Sequence, residues 1–341
     1  MANSEPCGRG EPQVLGIAFG RSDTVRLGRP GFTILELLVA AAVFSLILVI
    51  LAGIVSNTSA LTRSAGDKIS AFQSARAAFA LLSANLSQAT LNSYWDYDNP
   101  STPARYLRAS ELHFLVGLAG TAPFPGTAGT GQALFFQAPL GFSQNATIPS
   151  LPSLLNACGF YVEYNNADAL PAPFPTAPPR YRYRLMQALE VSENLSVYSS
   201  GNGSAWVNSA QAVPIAENVI YLAVWPRRSP ADDPAGDLLT TSFSYDSRLN
   251  AKSIPQPITA NQMPPVVQVT MVVLDETSAG RVCVDSLAPS VIRDATAGLF
   301  VESRATKFDD DLGILEARLS AAKLNFRVFS ALIAVRESKM E

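Results

Sequence analysis

The chain is poor in the residues that build metal and catalytic centres. Its 341 residues include one histidine, His113, and three cysteines. Neither a CxxC nor an HExxH spacing is present, so the ligand sets typical of zinc are missing. His113 lies in the apolar segment ELHFLVG, and no G-x-S-x-G motif supplies a nucleophilic serine. We therefore expect no cofactor, no zinc and no enzymatic activity.

The chain also lacks an excess of positive charge. Lysine and arginine together number 25 against 28 acidic residues, which gives a formal net charge of −3. Proteins dedicated to nucleic acids take much of their affinity from neutralising phosphates, so we do not expect nucleic acid as a partner. One segment, RYRYR at 180–184, has the arginine and tyrosine pattern that stacks on single strands. As a strand it would place its arginines on one face, and we expect that face to be solvated.

The cysteines leave two alternatives open. Cys7 lies near the N-terminus, whereas Cys158 and Cys283 lie in strand-like apolar segments. In an oxidising compartment these two form one disulfide, or they remain free and pack as small hydrophobic side chains.

Carboxylates offer only a weak calcium candidate. Asp96, Asp98 and Asn99 supply several oxygens within YWDYDNP, but the spacing of the EF-hand loop is absent. The competing interpretation is a packed aromatic turn in which Asp98 and Asn99 precede Pro100. We favour the turn.

What the chain does have is a long apolar run. Residues 32–55 form a predominantly apolar stretch that, at roughly 1.5 Å per helical residue, spans about 36 Å and is long enough for a bilayer core of ~30 Å. Glu36 lies inside it, where an ionised group costs roughly 2.5–3.5 kcal/mol at mid-bilayer. A plain signal anchor leaves Glu36 unexplained, and a cleaved secretory signal has a shorter apolar core.

The junction RPGFTILE at 29–36 resembles the type IV prepilin signature. The resemblance implies that a leader of residues 1–31 is cut after Gly31 and that the new N-terminal amine of Phe32 is methylated. It also implies that Glu36 pairs with a neighbouring subunit in a helical filament. The implied partners are the prepilin leader peptidase/methyltransferase and other pilin-like subunits.

Further segments extend the resemblance. Residues 74–98, 258–276 and 323–339 are similar to the Verru_Chthon cassette protein C family, a group of prepilin-like proteins. A long helix followed by a β head is also similar to the J-type minor pseudopilins. These resemblances imply a structural role in the inner membrane, with one span. The basic leader would lie in the cytoplasm and the head in the periplasm.

Periodicity predicts the organisation of the rest of the chain. Beyond the membrane segment, residues 56–92 continue the helix with an apolar face that packs on the head domain, residues 93–341. The fold class expected is α+β and pilin-like, with a mostly antiparallel sheet and long loops. A late helix is expected at 309–323, with Asp309, Asp310 and Asp311 as its N-terminal acids. The candidate strands are 111–117, 133–137, 159–164, 180–186, 218–225, 241–246, 266–275 and 324–336.

Two functional hypotheses follow from the sequence. The first is a cleaved and methylated minor pilin or pseudopilin that assembles into a type IV pilus-like or type II secretion-like envelope filament. The alternative is an uncleaved, single-span anchor whose periplasmic head binds a ligand or DNA.

Overall fold

The N-terminal helix dominates the first part of the chain. The computed structural model describes residues 31, 33–145, 151, 153–166, 180–199 and 203–340. Helix α1 spans Ile34–Ser87, so it ends five residues before the expected position. After α1 ends, the amide of Thr90 donates to the carbonyl of Gln137. The backbone at Thr90 therefore bonds to a distant strand and not within the helix. Among the described residues, those up to Ser59 form one compact unit and those from Ala60 onward form a second.

The second unit contains antiparallel sheets, as expected for an α+β chain. The strands are β1 (Tyr94–Tyr97), β2 (Tyr106–Ala109), β3 (Leu115–Leu118), β4 (Gln132–Pro139), β5 (Leu155–Asn165), β6 (Arg182–Glu190), β7 (Gln211–Glu217), β8 (Val219–Arg227), β9 (Tyr245–Asp246), β10 (Val266–Leu274) and β11 (Phe326–Ala334). A six-stranded sheet has the order β7-β6-β5-β4-β3-β9 and a three-stranded sheet the order β11-β10-β8. Strands β1 and β2 form a separate hairpin.

Asn218 is the corner where the chain passes from the larger sheet to the smaller one. Strand β7 ends at Glu217 and β8 begins at Val219. Asn218 has a φ of 63°, a left-handed conformation that asparagine tolerates better than most residues. Its amide donates to the carbonyl of Tyr183, and its own carbonyl accepts from Leu274. One residue thus satisfies backbone groups from both sheets while the chain changes direction.

The C-terminal part of α1 packs within the second unit. Ala75, Ala78, Leu82 and Leu86 are buried at three- and four-residue spacing, so this part of α1 has a buried apolar face. The ring of Phe79 lies 6.1 Å from that of Phe329 in β11. The side chains at 60, 61, 63–65 and 67–70 lie outside the described set.

The late helix exists, but its acids play a different part. Helix α4 spans Ala305–Ala321 and has no acidic residue in its first turn, so the expected N-terminal role of the aspartates is wrong. Asp311 is instead buried, where it accepts a hydrogen bond from the amide of Phe300 and pairs with Lys307 at 3.2 Å. Two short helices, α2 (Glu276–Val282) and α3 (Ser290–Thr296), were not predicted.

The strand expected at 111–117 begins only at Leu115. The backbone amides just before Leu115 donate to side-chain oxygens and not to the backbone of a neighbouring strand. The amide of His113 donates to Oε1 of Gln137 and that of Phe114 to Oγ of Ser247. The strand expected at 241–246 is likewise reduced to Tyr245–Asp246. Strand β7 was not predicted, because Pro214 interrupts its strand-like sequence. Proline has no amide hydrogen to donate, and β7 tolerates it because the strand lies at the edge of the sheet.

Candidate membrane and assembly segment

The N-terminal part of α1 is long and apolar enough to cross a membrane. The segment Ile34–Ser59 has 26 residues, about 39 Å of helix at 1.5 Å per residue, and none of its most apolar window is buried. Its large side chains, from Ile34 to Val55, are exposed. The hydroxyl of Ser45 donates to the carbonyl of Ala42, so this polar group is satisfied within the helix.

Glu36 is the ionisable residue of this segment, and the structure places it in the first turn of the helix. Thr33 caps the helix, because its Oγ1 accepts from the amide of Glu36 at 3.3 Å and its carbonyl accepts from Leu37 at 3.1 Å. Thr33 and Glu36 therefore occupy the positions of a T-x-x-E capping box. The sequence carried this signal, but the prediction overlooked it. A carboxylate here also lies at the positive end of the helix dipole.

The processing junction is described only in part. Gly31 is exposed, and an added Cβ there would meet nothing within 4 Å. Phe32 and residues 1–30, including Cys7, lie outside the described residues. Cleavage after Gly31 and methylation of Phe32 therefore stay predictions.

The RYRYR segment differs from its prediction. Arg180 is exposed as expected, but Arg182 and Arg184 are 7% and 1% exposed, so the expected solvated face is wrong for these two. Nη2 of Arg184 lies 3.2 Å from Oε1 of Glu217, and Nη2 of Arg182 lies 2.9 Å from Oε1 of Glu276. The end of β7 and the first turn of α2 supply these carboxylates. Because the two guanidinium groups are buried and paired, they are not presented to a phosphate backbone.

Glu276 is the centre of this ion-pair cluster. Its Oε1 also lies 2.9 Å from Nη2 of Arg180, and its Oε2 accepts from Nδ2 of Asn218 at 2.8 Å. Burial opposes its ionisation, but the hydrogen bonds from Arg182, Asn218 and Arg180 hold the pKa of Glu276 below its usual range. The cluster thus ties α2 to the larger sheet and to the Asn218 corner.

His113 is buried with both ring nitrogens engaged. Nε2 contacts Oδ1 of Asp246 at 2.6 Å, and Nδ1 accepts from Nε1 of Trp206 at 3.3 Å. Burial lowers the pKa of His113, although Asp246 opposes the effect. A general base needs an available nitrogen within reach of substrate, and this ring offers none. The arrangement is that of a structural histidine.

The two cysteines of the second unit are buried and unbridged, so the disulfide alternative is not formed. Sγ of Cys158, in β5, accepts from Gln187 and Asn85. Cys283 follows α2. Burial raises the pKa of Cys158 to about 12 and that of Cys283 to about 11.

The side-chain oxygens of the calcium candidate accept hydrogen bonds from backbone amides of their own loop. Oδ1 of Asp98 accepts from the amides of Asn99, Ala104 and Arg105, and the side-chain oxygen of Asn99 accepts from Ser101. Asp96 accepts from the amide of its neighbour Tyr97. The favoured turn is correct in its use of Asp98 and Asn99. The aromatic residues, however, form the exposed hairpin strand β1 and are not buried in the core.

The described chain is thus an α+β protein with one N-terminal helix that is long and apolar enough to span a membrane. No family model, curated protein or solved structure matches it. The prepilin and cassette-protein resemblances therefore stay predictions, and the function remains a proposal.

Proposed function

We propose that this protein is a prepilin-like minor pilin or pseudopilin. Its leader is cut after Gly31, Phe32 is methylated, and the mature helix assembles into a type IV pilus-like or type II secretion-like filament in the envelope. Its role is structural and not enzymatic. The protein sits in the inner membrane with one span, its leader cytoplasmic and its head periplasmic. Its partners are the leader peptidase/methyltransferase and other pilin-like subunits.

One observation carries the proposal. The apolar segment Ile34–Ser59 contains a single ionisable residue, Glu36, directly after the Gly31-Phe32 junction. A carboxylate is costly in a membrane unless a partner compensates for it. The α-amine of an adjacent mature subunit would supply the opposite charge, and the nearby helix terminus favours the anion.

Intact mass separates the proposal from its alternative. A mature chain that begins at methylated Phe32 supports the pilin, whereas a chain that keeps residues 1–31 refutes it. The exposed aromatic hairpin of β1 and β2 favours the alternative, an uncleaved single-span anchor whose head binds a ligand. That hypothesis predicts a full-length mass and ligand binding without assembly.

A substitution pair distinguishes assembly from helix capping at Glu36. Glutamine serves in a capping box almost as well as glutamate, so a capping role predicts that Glu36→Gln behaves as wild type. The pairing role predicts that Glu36→Gln and Glu36→Ala both insert and are cleaved normally but fail to co-assemble with pilin-like subunits. Cross-linking of membrane fractions measures co-assembly. Glu316→Gln, on an exposed face of α4, is the matched control.

A further inference from the structure

The hairpin that follows α1 exposes a cluster of large aromatic rings. Strands β1 and β2 pair antiparallel, with Trp95 opposite Arg108 and Tyr97 opposite Tyr106. Trp95 is 65% exposed and Tyr106 is 61% exposed, and Tyr94 and Tyr97 are exposed as well. The rings of Tyr97 and Tyr106 stack at 4.9 Å. Because side chains alternate along a strand, Trp95, Tyr97 and Tyr106 share one face of the hairpin, and exposed aromatic rings grouped in this way indicate an interaction site. We call Tyr94–Tyr97 and Tyr106–Ala109 the aromatic hairpin.

Grooves with polar walls border the aromatic hairpin. One, of about 360 Å³, is lined by Tyr94, Trp95, Arg108, Gln262, Glu337 and Lys339. The other, of about 520 Å³, runs beside Asp96 and Tyr97 and includes Arg248, Asn250 and Lys252. Both volumes lie in the range of small-ligand sites, and both combine an aromatic surface with a few polar groups.

The charges of these grooves are nearly balanced. Glu337 offsets Lys339 in the smaller groove, and Asp96 and Asp98 offset Arg248 and Lys252 in the larger one. Arg108 borders both and leaves each groove with one positive charge in excess, and its Nε and Nη2 donate to the carbonyls of Ala260 and Pro257. A groove for a nucleic-acid strand needs a cationic surplus to neutralise phosphates. A surplus of a single charge favours an occupant with little or no net charge.

A sugar ring suits a surface that combines exposed aromatic rings with polar groups of little net charge. The face of a pyranose carries C–H groups that stack on an aromatic ring, and its edge carries hydroxyls that both donate and accept hydrogen bonds. Such hydroxyls can donate to carboxylate groups, accept from ammonium groups and do either with amide groups. We propose that the aromatic hairpin binds a neutral polysaccharide, with Trp95 as the main stacking surface. This binding requires neither cleavage of the leader nor assembly of a filament.

Tryptophan fluorescence provides a direct test. Of the three tryptophans in the chain, Trp206 and Trp225 are each 1% exposed, so iodide quenches mainly Trp95. The full-length protein is placed in lipid nanodiscs, since sugar-based detergents would compete. Cellohexaose and chitohexaose are the neutral probes, and an oligothymidylate is the anionic probe. We expect at least one hexasaccharide to protect Trp95 from iodide in a saturable manner.

Calorimetric titration of variants completes the test. Trp95→Ala should weaken hexasaccharide binding about tenfold or more, and Trp95→Phe should retain most of it. Phe142→Ala removes an exposed aromatic side chain outside the hairpin and should bind as wild type does. The exposed position of Trp95 predicts unchanged thermal unfolding, which checks folding. Failure of both hexasaccharides to bind, equal binding by Trp95→Ala, or protection by the oligothymidylate alone would overturn the proposal.

Discussion

The Nε2–H group of His113 donates a hydrogen bond to Oδ1 of Asp246, and the two atoms lie 2.6 Å apart. The tautomer follows from Trp206, whose indole N–H can only donate and therefore requires Nδ1 of His113 to be an acceptor. The neutral ring thus joins Trp206 to Asp246 in β9. This linkage has consequences for stability at acidic pH.

Acidification should destabilise the second unit through His113. Burial lowers the pKa of His113 below its usual 6.5, so the unfolded chain binds a proton more readily than the folded one. The stabilisation by the neutral ring is complete above that value and is lost as pH falls through the folded pKa. Thermal unfolding between pH 7.5 and 5 should show this loss, accompanied by a change in Trp206 emission. His113→Gln removes the chain's only histidine and should flatten the dependence; equal slopes in both proteins would contradict the assignment.

Removal of the carboxylate of Glu276 should destabilise the fold strongly. Glu276→Ala leaves the buried guanidinium of Arg182 without its ion pair, and breaking a buried pair on one side typically costs about 3–5 kcal/mol. Because Glu276 is partly exposed, we expect a value of about 2–4 kcal/mol. Denaturant titration measures it. Glu316→Ala on exposed α4 should change stability by less than about 0.5 kcal/mol. A similar effect of both variants would show that the cluster contributes little.

Two glycine substitutions should change stability in opposite directions. Gly131 has a φ of 98°, and an added Cβ would clash with the carbonyl of Leu222, so Gly131→Ala should cost about 2 kcal/mol or more. Gly313 lies in α4 with nothing within 4 Å of an added Cβ. Gly313→Ala should therefore stabilise the protein by about 0.5–1 kcal/mol. Denaturation midpoints compare the two, and a stabilising Gly131→Ala would refute the close approach.

The cysteines should behave as free but unreactive thiols. In a Cys7→Ser background, Cys158 and Cys283 should react slowly with an alkylating reagent in the native state, because both are buried and burial raises both pKa values. Under denaturing, non-reducing conditions both should be alkylated, as measured by intact mass. A denatured chain that takes up no label would indicate a disulfide.

Features set by residues close together in the sequence were predicted correctly more often than contacts between residues that lie far apart in it. Strands β4, β5 and β10 overlap the segments predicted at 133–137, 159–164 and 266–275, because those segments are rich in apolar, aromatic and β-branched residues. The arginines of RYRYR were assigned to solvent, because the partner of Arg182 lies 94 positions away in α2. Asp246 likewise lies 133 positions from His113, and no spacing rule connects them. The capping box of Thr33 and Glu36 was local and could have been found.

Local sequence patterns were sufficient to predict the membrane-length apolar segment, the position of Glu36 within it and the α+β composition of the chain, because these depend on neighbouring residues. Tertiary structure alone decided that Arg182 and Arg184 are buried, that Cys158 and Cys283 stay apart, and that the YWDYD segment forms an exposed hairpin. Burial depends on which distant segments cover a residue. That covering is set by the packing of the sheets and helices and not by the local pattern.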